Sequence, residues 1–263
     1  MNDNITITSP ATIARRTLAA IALIAVFAVS LWGVGLDIGK FTKRLGNFGS
    51  VARRMIAFAP AKIPEIVLQT LISISLAFAA LVIGALIAYV LATFAARNTT
   101  PCPILAAAIK AVIAVIRAVP MLVWVLIVVA AVGFGNTGGV IGLLFPTVGY
   151  LTRSFVSALE EDGDRHIEAL KATGARWHDI TLKGVTQSVM PKLIAWVAIC
   201  FETDVAAGIS LGMLGVTGVG SMLNKAIMRF DYAEISTIIV VVYLTMMLFE
   251  ALSLTIRKAM KTD

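Results

Sequence analysis

Residues 66–95 read IVLQTLISISLAFAALVIGALIAYVLATFA, a run without a single Asp, Glu, Lys or Arg. A helix rises about 1.5 Å per residue, so about 20 such residues cross the roughly 30 Å of hydrocarbon in a bilayer. This run is long enough to cross. It also lacks the alternation of polar and apolar residues that a membrane barrel strand requires. The stretch therefore predicts a transmembrane helix.

Working outward, five more segments have the same character: 18–36, 104–132 (with Pro120 inside it), 140–158, 192–214 and 235–256. The expected fold is an all-α integral membrane protein with about six transmembrane helices. Composition agrees, because 59% of the 263 residues are hydrophobic and only 14% are charged. A soluble domain carries about 25% charged residues. The mean hydropathy is +0.93.

The polar intervals give the organisation. Segment 18–36 follows Arg15-Arg16. It is long for the apolar core of a signal peptide, and no small-x-small cleavage site follows it, so a retained anchor is expected. Residues 37–65 hold Lys40, Lys43, Arg44, Arg53, Arg54 and Lys62. Phe41, Leu45, Phe48, Val51, Met55 and Phe58 recur there near helical spacing, which predicts an amphipathic helix on the membrane surface. The chain thus divides into an N-terminal anchor with its surface segment, 1–61, and a transmembrane core, 62–263. Residues 97–103 read as a turn and 133–139 as a glycine-rich hairpin.

The net charge of +7 does not point to nucleic acid. Lys and Arg fall mostly in short polar segments between apolar runs, as membrane topology requires. With both termini cytoplasmic, the inside receives Arg15, Arg16, Arg97, Arg165, Lys171, Arg176, Lys183, Lys192, Arg257, Lys258 and Lys261. The outside receives the basic residues of 37–65 with Lys225 and Arg229. Cys102 and Cys200 lie in different segments with no histidine near either, so neither a metal site nor a disulfide is expected. His166 and His178 read as solvated residues of a cytoplasmic loop. No converging nucleophile, base or metal ligands of an intramembrane enzyme appear, nor the internal repeats of an ATP-independent carrier.

The segment 160–190 is polar and lies between two spans. Its first part is helix-compatible, and Gly174 can end a helix with a left-handed residue. A second stretch, 175–189, can again be helical, so two short helices meeting at a glycine should form a cytoplasmic knob. The run Glu168-Ala169-Leu170-Lys171-Ala172-Thr173-Gly174-Ala175, continuing to Gly184 and Pro191, resembles the EAA loop of ABC importer permeases. The family usually has Leu-Pro where this chain has Thr186-Gln187; only the later Pro191 remains. The resemblance is closer to the phosphonate-type permeases and covers most of the chain from Pro64 to Ala259. It is carried by Arg117-Ala118-Val119-Pro120-Met121-Leu122-Val123-Trp124, by Gly133-Phe134-Gly135, by Phe201-Glu202 and by Leu211-Gly212-Met213-Leu214-Gly215-Val216-Thr217-Gly218-Val219-Gly220. Val216-Thr217 depart from the small residues expected there. Asp204 and Ala206 stand where the family usually has Asn and Arg.

This resemblance implies a type I ABC importer fold. In such an importer two permeases, here expected to be a homodimer, form the pore, two ATPase subunits bind below, and a solute-binding protein delivers substrate from outside. ATP and Mg would belong to the ATPase, because this chain has no GxxxxGK[ST] phosphate loop. The implied cargo is a phosphonate, with phosphite, hypophosphite or another small oxyanion as alternatives. The coupling residues implied are Glu168, Ala169, Lys171, Thr173, Gly174, Ala175, Gly184 and Pro191.

Charges inside spans cost at least about 2.5–3.5 kcal/mol each at a helix centre, so they face protein or water. Arg117, Arg153, Glu202 and Asp204 fall in or near spans. Arg153 is near a span end and can snorkel. Arg117 and Glu202 are either a structural ion pair or part of the translocation path, and Asp204 joins the path candidates. Gly208 and Gly212 form a small-xxx-small pair that permits close helix approach, either within the chain or at a dimer interface.

Overall fold

The computed structural model describes residues 10–35, 38–162, 167 and 170–259. All regular structure among them is helical. The chain divides into two compact units, residues 1–53 and 54–263. In the first unit, α1 (Pro10–Gly33) and α2 (Ile38–Arg54) are separated by a turn at Gly35, whose φ is +62°. Apolar side chains are exposed all along α1. On α2, Phe41, Leu45 and Phe48 recur at helical spacing and are exposed, as expected of an amphipathic helix.

The second unit is a bundle. Its elements are α3 (Ile63–Ala95), α4 (Pro103–Ala118), α5 (Met121–Val132), α6 (Asn136–Asp162), α7 (Thr186–Leu211), α8 (Val219–Met228) and α9 (Tyr232–Ala259). Pro64 and Pro103 open α3 and α4, where a missing N–H costs nothing. Five helices among the described residues are long and apolar enough to span, and the count rises to six if α4 and α5 form one broken span.

That break corrects the continuous helix expected over 104–132. The axes of α4 and α5 meet at 91°. Val119 is extended (φ −85°, ψ 125°), as a residue before proline prefers. Pro120 also has no N–H to give the Ile116 carbonyl. The indole Nε1 of Trp124 donates to that carbonyl instead, at 2.9 Å, and the Trp124 ring stacks on Phe145 with centroids 4.4 Å apart. The motif from Arg117 to Trp124 therefore builds a corner and satisfies its own orphaned acceptor.

Helix α6 is the most buried of the candidate spans. Small residues let its neighbours approach, since lipid offers no hydrophobic reason for helices to associate. A Cβ on Gly84 of α3 would lie 2.7 Å from Cγ2 of Thr147, and one on Gly142 of α6 would lie 2.9 Å from Cα of Val125. Three apolar clusters follow one another along the bundle. Leu81, Leu151, Phe155, Val185, Val189 and Leu193 fill one end. Leu76, Val125, Leu143 and Leu211 fill the middle, and Ile66, Val219, Met222 and Ile238 the other end. Outward-facing side chains such as Leu68, Leu86, Val115 and Leu248 are apolar and exposed, as lipid-facing positions should be.

Helix α8 was not foreseen, since the residues after span five read only as an outside connection. Gly218 (φ +127°) turns the chain into α8, and Ser73 of α3 accepts the Val219 N–H at 3.1 Å. The departure at Val216-Thr217 also has a physical reason. Val216 is buried against Gly139, where a Cβ would lie 2.6 Å away, and Thr217 donates to Asn136. The larger residues thus seat this loop on the start of α6.

Candidate coupling loop and membrane-embedded charges

The loop after α6 turns at Gly174, whose φ is +72°. The Gly174 N–H donates to the Lys171 carbonyl at 3.0 Å and the Ala175 N–H to the Leu170 carbonyl at 3.3 Å. This pair of bonds is a Schellman cap, which explains why glycine occupies the position. Glu168, Ala169, Arg165 and His166 lie outside the described residues. Lys171, Thr173 and Gly174 are exposed and Ala175 is half-buried. Gly184 lies directly under Leu170, so the two arms of the loop pack on each other there.

The second arm differs from the short helix expected over 175–189. It is a π-helical turn, Asp179–Val185, that runs straight into α7. The Thr186 backbone N–H donates to the Thr181 carbonyl, one residue farther back than α-helical spacing, and the Thr186 hydroxyl donates to the same carbonyl at 2.8 Å and meets the Tyr89 hydroxyl at 2.8 Å. Pro191 sits inside α7 and is exposed, so it bends no separate helix away.

Trp177 was missed in the sequence. Its Nε1 donates to the Thr99 carbonyl at 2.6 Å, and its ring stacks on Phe94 with centroids 5.8 Å apart. It ties the loop to the turn between α3 and α4. A lone exposed-looking tryptophan in a polar segment was the available signal. Glu160 braces the same end: it accepts from the Arg97 N–H and from Lys110 Nζ, both at 2.9 Å. His178 is exposed and lies 3.2 Å from Asp179.

Of the four charges in or near the spans, only Arg117 and Arg153 come together. Among the described residues no ion pair joins Arg117 to Glu202. Arg117 is exposed on α4 and its stem rests on Gly149 of α6, where a Cβ would lie 3.0 Å from Cγ. Arg153 is exposed one turn farther along α6, and both arginines line one cavity of about 240 Å³. Glu202 is half-buried on α7. Asp204 is buried inside the chain, with Thr147 Oγ1 of α6 at 2.8 Å and Cys200 Sγ at 3.8 Å. Gly208 and Gly212 are taken up by packing within the chain. A Cβ on Gly208 would lie 3.3 Å from the Ser73 carbonyl oxygen, and one on Gly212 would lie 2.6 Å from Cα of Gly220.

At the opposite end of the bundle a second cluster went unread in the sequence. Glu234 is 1% exposed and accepts from Lys62 and, at 2.9 Å, from Arg229 Nη2. Its own N–H donates to Asp231 Oδ1 at 3.1 Å, capping α9. That backbone bond, followed by the Lys62 charge, holds the Asp231 carboxyl below the usual carboxylate range.

The second unit is thus a multi-pass helical bundle with a folded polar loop between two of its spans. Residues 88–261 match the family described as the binding-protein-dependent transport system inner membrane component, and the chain belongs to that family. Membership makes it a multi-pass inner-membrane subunit that works with an ATPase and a solute-binding protein. The chain is 28% identical over 248 residues to the phosphite transport system permease protein PtxC of Stutzerimonas stutzeri, covering 94% of this chain and 90% of that protein. It is 29% identical over 233 residues to the phosphate-import permease protein PhnE of Mycolicibacterium smegmatis, covering 88% of this chain and 43% of that longer protein. In fold it is similar to a chain of the MetNI methionine ABC transporter, with a TM-score of 0.65 at 20% identity over 77% of this chain and 99% of that one.

Proposed function

We propose that this chain is the pore-forming permease of an ABC importer for a small phosphorus oxyanion. The observation that carries the reading is the end-to-end similarity to a phosphite permease, 94% of this chain on 90% of that protein. Relatives named for phosphate import and for phosphonate transport support the same substrate class. Both termini are cytoplasmic, and two copies of the chain pair to form the pore. ATP and Mg are bound by the partner ATPase. Residues 160–190 dock on that ATPase, with Glu168, Ala169, Lys171, Thr173, Gly174 and Ala175 at the contact and Gly184 and Pro191 supporting it. The capped turn at Gly174 and the Trp177 anchor favour this role, because a coupling element must transmit force without melting. Arg117 and Glu202 remain on the path, whereas Asp204, Gly208 and Gly212 hold helices together.

The test is reconstitution with an ATPase and a solute-binding protein from the same genome. Vesicles should take up phosphite, phosphate or methylphosphonate in an ATP-dependent way, and should not take up methionine. ATP-driven methionine uptake, or none of the three phosphorus anions despite stimulated ATP hydrolysis, would overturn the assignment. A C-terminal fluorescent fusion should be bright in the cytoplasm.

A further inference from the structure

The cavity between α4 and α6 is unusual for a membrane segment. Its volume is about 240 Å³, and Lys110, Arg117 and Arg153 all contribute to its wall. Among the described residues no Asp or Glu lines it. Lys110 is neutralised by Glu160 at 2.9 Å. Among the described residues neither Arg117 nor Arg153 has a carboxylate partner. Two arginines without a described carboxylate partner in the wall of one cavity repel each other. Such an arrangement is stabilised by an anion.

Thr152 gives a second, independent observation. Span hydroxyls in this chain habitually donate to the carbonyl four residues back, as Thr70, Thr93, Thr147 and Thr237 do. Thr152 is 1% exposed, lines the same cavity, and its hydroxyl has no partner. Two guanidinium forks are a donor set for a tetrahedral oxyanion, since arginine offers paired N–H groups at the spacing of two oxygens, and the covered Thr152 hydroxyl lies in the wall behind them.

Position favours an ion in transit. Arg117 rests on Gly149, midway along α6, and Arg153 lies one turn nearer the end that carries the coupling loop. Lys110, bound to Glu160, marks that end. The cations therefore form a descending series from mid-span to the loop, and only the inner two are unneutralised. A conducting path needs binding strong enough to enter and weak enough to leave.

We infer that Arg117 and Arg153, backed by Thr152 in the cavity wall, form a binding station for a phosphorus oxyanion group between α4 and α6, on the loop-side half of the pore. This rests on the import reading above for the identity of the anion. The headgroup of an anionic phospholipid carries the same chemistry, so the test separates the two sources.

The whole complex is assembled in liposomes from a Cys102→Ser background, because Cys102 is exposed whereas Cys200 is buried. Ala114, an exposed residue of the cavity wall, is replaced by cysteine. Its rate of modification by an anionic methanethiosulfonate is measured without ATP or binding protein. An occupant at ten times its dissociation constant leaves about one site in eleven free, so labelling should slow roughly tenfold. Phosphite or phosphate should do this at millimolar concentration in phosphatidylcholine. The protection should vanish in Arg117→Gln with Arg153→Gln, and weaken in Thr152→Val, a near-isosteric change that keeps the bundle intact. Slowing that requires phosphatidylglycerol and ignores the free anion would overturn the transit station in favour of a lipid site. No slowing by either would remove the site. The readout is independent of uptake: protection without transport would sink the import reading and leave the site, and transport without protection would do the reverse.

Discussion

Trp177 offers the sharpest test of how the loop after α6 is held. Its residue is 42% exposed, so a little over half of its surface is covered. A fully buried tryptophan covers on the order of 200 Å², so at about 25 cal/mol per Å² the covered part contributes roughly 2–3 kcal/mol. The stack on Phe94 adds about 0.5–1.5 kcal/mol. The indole also satisfies the Thr99 carbonyl, and Thr99 is 2% exposed. Leaving that acceptor unpaired costs about 1–3 kcal/mol. Trp177→Phe keeps the stack and loses the hydrogen bond, so it should destabilise the loop contact by about 1–3 kcal/mol. Trp177→Ala should cost more, about 3–5 kcal/mol, as a large-to-small aromatic change does. Limited trypsin digestion of inside-out vesicles reports on this directly, because Lys171 and Arg176 flank the turn and are exposed. Cleavage of a transiently open segment follows its population, and each 1.4 kcal/mol is about tenfold. Trp177→Phe should therefore be cut about 5–140 times faster than wild type, with unchanged membrane insertion. Equal cleavage rates in wild type, Trp177→Phe and Trp177→Ala would refute the anchor.

Three further outcomes are expected. Gly174→Ala should cost about 1–2 kcal/mol at the left-handed turn and uncouple ATP hydrolysis from the loaded binding protein, while Gly174→Asn should cost less; coupled ATPase assays compare them. Gly212→Ala should lower the yield of monodisperse protein on size exclusion, because its Cβ meets the Gly220 backbone at 2.6 Å and backbone cannot yield cheaply, an overpacking cost of about 1–3 kcal/mol. Gly208→Ala, whose nearest contact is the Ser73 carbonyl oxygen at 3.3 Å, should cost less than Gly212→Ala. Asp231→Ala should lose the α9 cap, worth about 1 kcal/mol, seen as a lower melting temperature. Because the folded Asp231 pKa is depressed, its stabilisation is present above the unfolded value of about 3.9 and fades as pH falls through the folded value. The gap between wild type and Asp231→Ala should therefore close in acid, and a gap that widened would contradict the assignment.

What the sequence determined by itself was the kind of molecule and the local breaks in it. A bilayer is a uniform apolar solvent, and each span must satisfy its own backbone, so length and polarity along the chain suffice to find the spans. Gly174 was legible for the same local reason, since a left-handed cap is written in a few neighbouring residues. Pro120 was visible, but the 91° corner it makes was not, because Trp124 and Phe145 decide how a proline break is filled. Only the tertiary structure joined residues far apart in the chain. Trp177 meets Thr99, Thr147 meets Asp204, and Lys62 meets Glu234. It buried Asp204, turned Gly208 and Gly212 into packing positions, and set Arg153 beside Arg117 around one cavity. These pairings depend on which helix faces approach within a few ångströms. Helix contact in lipid follows close packing and not hydrophobic pattern, so periodicity along one helix does not name its partner.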